Sequence, residues 1–249
     1  MPLPTTFLIN LDRNASRRET SETMINGLGL SFRRFPAVDG LTLPADVCNQ
    51  SLGTLGRKLS RGEVGCFLSH LRCAELFLET DHAYGLVLED DFMVRPDGKA
   101  QLDQLWASLD QIEDWDVINL GRDARRYRTL VQPADWRDTD TNLYRAHYFP
   151  ITTTGLLWTR AGAAAFLNQT RQITMPVDIF LREWTLRTGR GLAFSPSPLS
   201  ARPVKSEIDM MQPTQKKRGS DRRFGYPILR VKFQLRSHLL ALRSQRAWL

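Results

Sequence analysis

Three carboxylates in a row, Glu89-Asp90-Asp91, close the apolar run Tyr84-Gly85-Leu86-Val87-Leu88. Adjacent acids repel one another, so such a cluster calls for a positive partner. In an extended strand residues two apart share a face, which lets Glu89 and Asp91 point together while Asp90 turns away. Hard oxygen donors suit Mg2+ or Mn2+, and such an ion can neutralise a diphosphate leaving group. The competing reading is a solvated loop that happens to begin with acids.

The elements around the cluster must bring it to an edge where a ligand can reach it. Thr6 to Leu11 reads as a short buried strand. Ser16 with Glu19 three residues on fits a capping box, and Gly27 and Gly29 supply a stop, which predicts a helix between them. Phe32 to Val38 predicts a second strand, closed by Asp39-Gly40. Ser60 with Glu63 is another capping box, heading a helix to about Glu79 with the apolar stripe Val64, Phe67, Leu68, Leu71 and Leu78. Its small face, Gly62, Cys66, Ser69 and Cys73, allows close approach by a sheet or a ligand. Strands are predicted at 116–120, 154–158 and 192–194, helices at 161–167 and from about Asp178, and the stretch 122–145 reads as loop. Alternation of strands and helices defines an α/β fold, and open α/β sheets bind ligands beyond the carboxyl ends of their strands, where Glu89-Asp90-Asp91 would lie.

The ordered pieces Ile9-Asn10-Leu11-Asp12-Arg13 with Arg17-Arg18, Ala37-Val38-Asp39-Gly40, Leu59 to Cys66 with Ser69-His70, and Val87 to Asp91 resemble glycosyltransferase family 25. This is the lipooligosaccharide galactosyltransferase group that also includes collagen galactosyltransferases. Weaker matches are 116–121, 155–161 and Pro176-Val177-Asp178, so the resemblance covers about residues 6 to 180. It implies a GT-A-like nucleotide-sugar-binding fold with a mixed, mostly parallel central sheet flanked by helices. It also implies a UDP-sugar donor, usually UDP-galactose, a glycan or glycolipid acceptor, inversion at the anomeric carbon, and Mn2+ or Mg2+.

By that resemblance Asp91 is the first metal ligand, with Glu89 in the metal shell or on the ribose side, and Asp90 joins the donor contacts. Asn10, Leu11, Arg13 and Arg17 follow or end the first strand, where guanidinium groups can meet a diphosphate or uridine; a solvated Arg-rich helix start is the alternative. Asp39 can reach a base or ribose, or simply make an Asp-Gly turn. Inversion needs a general base, and Asp178 is the candidate, against the alternative of a routine N-cap; Glu183 is a distant substitute. Glu63 is accounted for by its capping box. His70 either hydrogen-bonds to the acidic cluster or is a satisfied core histidine. Arg202, Lys205 and Ser206 either close over a diphosphate or form a surface turn.

With 249 residues, 42% hydrophobic and 24% charged, the chain has the composition of a folded enzyme-sized body, which excludes bulk disorder and fibres. The expected division is a domain over 1–215 and a tail over 216–249. The tail holds ten Lys and Arg against one acid, a net +9; the whole chain is +7, so residues 1–215 carry −2. Ile228, Val231, Leu235, Leu239, Leu242 and Leu249 recur at helical spacing, with Arg230, Lys232, Arg236, Arg243 and Arg246 between them. A basic amphipathic helix of this kind suits an anionic membrane surface, with Trp248 as interfacial anchor; a helix docked on its own domain is the alternative, and specific nucleic-acid binding ranks lower. No run approaches a membrane span and no secretory leader is visible, which predicts a cytoplasmic protein, peripheral on the membrane at most. The cysteines Cys48, Cys66 and Cys73 form no CxxC pair and read as small buried hydrophobes. Walker loops, HExxH and a dinucleotide fingerprint are absent from the sequence. Two other classes use the same acids: a metal-dependent phosphoryl or nucleotidyl transferase, and a non-catalytic sugar-nucleotide-binding module.

Overall fold

The computed structural model describes residues 3–44, 47, 58–131, 133, 136, 141–202 and 226–248. The first apolar run forms β1 (Thr5–Asn10), followed by α1 (Ala15–Gly27) and β2 (Phe32–Pro36). Helix α1 stops where expected, and Gly29 takes a φ of +72 that favours glycine. Its start differs from the expected capping box. Asn14 occupies the N-cap without a side-chain bond, which puts Ser16 inside the first turn, where its carbonyl accepts from Thr20 Oγ1 at 2.8 Å.

Helix α2 (Arg61–Leu78) does begin with its capping box. Ser60 Oγ accepts the Glu63 N–H at 3.1 Å, and Glu63 Oε2 accepts the Ser60 N–H at 2.8 Å. The small face of α2 is used for close approach by backbone. A Cβ on Gly65 would lie 2.5 Å from the Val38 carbonyl oxygen, and Ser69 Oγ accepts the Val38 N–H at 2.8 Å.

The chain continues through β3 (Tyr84–Glu89), β4 (Phe92–Val94), α3 (Gly98–Ser108), a 3-10 turn at Leu109–Gln111 and β5 (Val117–Asn119). Next come β6 (Arg128–Leu130), β7 (Leu143–Ala146), β8 (Gly155–Thr159), α4 (Arg160–Gln169), α5 (Val177–Thr188), β9 (Gly191–Phe194), β10 (Leu199–Ala201) and α6 (Tyr226–Ala247). Strands β6 and β7 fall in the stretch expected to be loop. They are three and four residues long and carry Arg128 and Arg145, so no apolar alternation marks them.

The main sheet has the order β2-β1-β3-β8-β5-β9-β7-β6, and β4 pairs with β10 in a separate antiparallel ribbon. The pairings β1 with β2, β1 with β3 and β5 with β9 are parallel, while β8 and β7 run against their neighbours. Within the main sheet all strands except β8 and β7 therefore point the same way, which is the mixed, mostly parallel sheet that was expected.

Alternation along the strands builds two cores. Leu8, Leu86, Leu88 and Leu157 face Ile25 of α1 and Leu102, Leu105 and Trp106 of α3. Phe7, Val87, Leu156 and Trp158 face Phe67 and Phe77 of α2, Phe166 of α4 and Trp184 of α5. Each such side chain, fully buried, contributes about 1.5–3 kcal/mol. The same parity decides the acids: Glu89 follows Val87 toward α2, and Asp90 turns toward α1.

Helix α6 docks on the domain through Ser237, Ala241 and Ser244, so the expectation of a helix packed on its own protein is realised for one of its faces. Trp248 lies with the Arg145 guanidinium 3.9 Å from its ring and stays partly exposed. The boundary at 215, together with Lys205, Ser206, Cys48 and Leu249, lies outside the described residues.

Two serines in like sequence contexts should separate in a thermal melt. Ser60→Ala is expected to cost about 1 kcal/mol, a fall in Tm of about 2–4 °C, whereas Ser16→Ala should stay within about 0.5 kcal/mol.

Candidate active site

Because β1, β2 and β3 are parallel, their carboxyl ends lie side by side: Asn10 is in register with Pro36, and Ile9 with Glu89. Antiparallel β8 brings its amino end to the same rim, and the Glu89 N–H donates to the Thr154 carbonyl at 3.1 Å. The acids are thus presented at a sheet edge.

Glu89 is held from the α2 side. Its Oε1 accepts from Thr153 Oγ1 at 2.7 Å, lies 3.0 Å from His70 Nε2 and takes the Cys66 thiol at 3.5 Å. Burial works to raise its pKa, but the His70, Thr153 and Cys66 contacts outweigh that and hold the carboxyl below its ordinary range. The supporting role considered for His70 is therefore what the geometry gives. Cys66 is more than a small hydrophobe: burial first, and then the Glu89 charge, push its pKa up, so it stays a thiol and donates. Cys73 is buried as expected.

Asp90 is held from the α1 side. Its Oδ2 accepts from Asn10 Nδ2 at 2.7 Å, its Oδ1 from Arg17 at 3.1 Å, and its carbonyl from Ser21 Oγ at 3.0 Å. Burial nonetheless leaves its pKa raised. Asn10 is itself buried and also donates to the Asn14 carbonyl at 3.1 Å and accepts from Arg34 Nε at 3.2 Å. Its side chain is tied to neighbouring groups of the protein, and Asn10 and Asp90 hold each other in place. The Leu11 carbonyl accepts the Asn14 N–H at 2.9 Å in the turn into α1. Arg13 pairs with Asp39 across the ends of β1 and β2, and Asp39 also accepts the Leu41 N–H at 2.9 Å, so its turn role is realised.

Asp91 differs from its neighbours. Its Oδ1 is buried and has no hydrogen-bond partner among the described residues. Burial, then the charges of Glu89 and Asp90, raise its pKa to about 7. A buried carboxylate oxygen without a donor, beside a carboxylate whose other oxygen is already fixed, is the surrounding that a hard divalent cation fits. Cys66, His70 and Glu89 also bring donor atoms within 4.8 Å of one another, but Glu89 Oε1 is already the acceptor of three contacts there. Asp91 is thus the better centre. Arg202 stands next to it, donating its N–H to the Asp91 carbonyl at 2.7 Å and its Nε to the Phe92 carbonyl at 3.2 Å.

Asp178 lies in the first turn of α5, whose N-cap is Pro176, so the N-cap alternative is not realised. Its Oδ1 accepts the Ile179 N–H at 2.7 Å. Burial raises its pKa, and the Glu89 charge adds to the rise, which places both carboxylates within electrostatic reach of each other. Glu183 is buried and accepts from Ser237 Oγ of α6 at 2.9 Å, which turns it toward the C-terminal helix. The group that sequence reasoning missed is Thr153. The signal was there, three threonines at 152–154 placed before the apolar strand β8.

The carboxylate cluster thus lies at the rim of a mixed α/β sheet, at the carboxyl ends of β1 and β3 and beside the amino end of β8. The chain belongs to glycosyltransferase family 25 (LPS biosynthesis protein), whose profile matches residues 3–181. A glycosyltransferase 25 family member of Drosophila pseudoobscura pseudoobscura is 30% identical over 220 residues, covering 80% of this chain and 34% of that protein. Procollagen galactosyltransferase 1-A of Xenopus laevis is 33% identical over 186 residues, covering 70% of this chain and 30% of that protein. A probable inactive glycosyltransferase 25 family member 3 of Bos taurus is 33% identical over 189 residues, 70% of this chain and 30% of its own length. The chain thus spans about a third of the length of these relatives.

Protons and a cation compete for Asp91, so Mn2+ affinity measured by calorimetry is expected to rise about tenfold per pH unit and level off above pH about 7. Asp91→Asn should weaken binding and remove that dependence. A wild-type affinity that does not rise between about pH 5 and 7 would overturn this competition at Asp91.

Proposed function

We propose that the chain is an inverting hexosyltransferase that moves galactose from UDP-galactose to a hydroxyl of a glycan or glycolipid. The single observation that carries the reading is the buried oxygen of Asp91, without a hydrogen-bond partner among the described residues, next to a Glu89 fixed by His70 and Thr153. Membership of the family supports the sugar-nucleotide donor, and the galactosyltransferase among the relatives supports the sugar. Asp91 and the second oxygen of Glu89 would hold Mn2+ or Mg2+, which supplies charge neutralisation to a departing diphosphate.

The protein's own groups do the rest. Asn10 and Arg17 fix Asp90, which sets the turn that presents Asp91. The Arg13–Asp39 pair and the open amino end of α1 border the place where uridine and phosphates would sit. The acceptor oxygen attacks the anomeric carbon on the face opposite the diphosphate. The new carbon–oxygen bond forms as the bond to phosphate breaks, the electron pair leaves with UDP, and the hydroxyl proton passes to Asp178. A pKa raised by burial makes the Asp178 carboxylate a stronger base than a free aspartate, and limits activity at low pH, where the group is protonated.

A relative named probable inactive keeps a second reading in play: a binding module that holds a sugar nucleotide without turnover. Incubation of the purified chain with UDP-sugars and Mn2+, followed by release of UDP with and without glycan acceptors, decides between them. Expected are turnover by the wild type, its loss in Asp91→Asn, and a fall in kcat of about 10²–10⁴-fold in Asp178→Asn with little change in donor KM. Tight donor binding without turnover would establish the second reading, and incorporation of nucleotide rather than sugar would place the chain in another transferase class.

A further inference from the structure

Helix α6 has two unlike faces. Its inner face is clamped to the domain: Ser237 donates to Glu183, Ser244 Oγ lies 2.8 Å from His147 Nδ1, Gln245 donates to the Arg128 carbonyl at 3.0 Å, and Ala241 is fully buried. The opposite face carries Ile228, Val231, Leu235 and Leu239, each between 54 and 63% exposed. Their spacing of three, four and four residues puts them in one stripe about 17 Å long. At 100° per residue Lys232, Arg236 and Arg243 border the stripe on one side, and Arg246 lies in line with it. All four cations are exposed, as is Arg230, and the helix contains no acid.

We propose that this outward stripe of α6 seats the protein on the surface of an anionic lipid bilayer. Exposed aliphatic side chains in a row cost free energy in water, and burying them in the acyl boundary removes that cost. The bordering Lys and Arg then lie at the depth of the headgroups, where anionic lipid supplies the charges that the helix lacks. A second copy is a poorer fit, because two such stripes face to face would bring cations against cations. A nucleic acid would use the charges and leave the apolar row unburied. No helix among the described residues is long and apolar enough to cross a membrane, so the contact is tangential.

The clamp gives the contact a consequence that a loose tail would not have. Because the inner face is bonded to β6, to His147 just past β7 and to α5, a helix lying in the interface fixes the orientation of the whole domain toward the bilayer. The acceptors this favours are glycans carried on lipid. The seat stands whether or not the chain turns over a sugar nucleotide, and is tested separately.

The test is sedimentation of the full chain with phosphatidylcholine vesicles, with and without phosphatidylglycerol, over a range of salt. The wild type is expected to bind the phosphatidylglycerol vesicles, less so as salt rises. Leu235→Glu combined with Leu239→Glu should lose affinity at least about tenfold with an unchanged Tm, since both positions are exposed. Arg236→Gln with Arg243→Gln keeps the stripe and should lose the salt-sensitive part; it also serves if the first variant fails to fold. Equal binding by wild type and both variants overturns the proposal, as does equal binding to neutral and anionic vesicles. A wild-type dimer by light scattering that Leu235→Glu/Leu239→Glu makes monomeric, with no vesicle binding, overturns it in favour of self-association.

Discussion

Three neighbouring carboxylates cannot all be buried and charged at one place unless each is compensated differently, and the fold is organised around that constraint. The pleat sends Glu89 to α2 and Asp90 to α1, so two separate sets of donors can reach them. His70, Thr153 and Cys66 take one acid; Asn10 and Arg17 take the other. Asp91 is left at the corner between β3 and β4 with an oxygen that no group among the described residues satisfies. Both helices that supply donors are placed by the cores on the two sides of the sheet. The packing of Phe67 and Phe77 on one face and Ile25 on the other is therefore what positions the chemistry.

Much of this was legible in the chain, for definable reasons. The apolar run ending in Glu89 reads as a buried strand reaching an edge, and strand parity separates Glu89 from Asp90. Capping boxes show the limit of such reading. Ser60 with Glu63 and Ser16 with Glu19 have the same spacing, yet only the first forms its cap. At the second, Asn14 has its backbone N–H tied to the Leu11 carbonyl, and the helix starts before Ser16 can act. Strands β6 and β7 were illegible because an edge ribbon of three and four residues with buried Arg145 carries no period. Thr153 escaped because its role depends on β8 running antiparallel to β3, and pairing direction is not written in local spacing.

The tail was read two ways, as a membrane helix and as a helix docked on its own domain, and the geometry shows why these readings are compatible. Helix α6 is 22 residues of three sectors: small and hydroxyl side chains inward, aliphatic side chains outward, and cations between. Its inner face touches a continuous chain of groups. His238 stacks on Tyr148 at 4.6 Å, the Arg182 guanidinium lies 3.9 Å from the Tyr148 ring, and Arg182 sits one turn after Asp178 on α5. Arg182 loses some of its hold on a proton through burial, yet it keeps a positive charge near the Asp178 carboxyl. The C-terminal helix thus helps to shape the surroundings of the candidate base.

Family membership does not by itself decide whether a chain of this kind turns over substrate, since relatives of like identity bear both active and inactive names. The energetics of the site weigh on that question more directly. Leaving a buried acceptor without a donor costs about 1–3 kcal/mol, and marginal stabilities of about 5–15 kcal/mol make that a considerable share. A protein that only held the shape of this domain would gain by replacing Asp91 with an apolar or amide side chain, which would also relieve the repulsion that lifts its pKa to about 7. Glu89 and Asp90 are satisfied and would survive such a change for structural reasons alone. Asp91 Oδ1 finds no hydrogen-bond partner among the described residues, and a cost of this kind is the sort that persists where a site serves binding rather than stability.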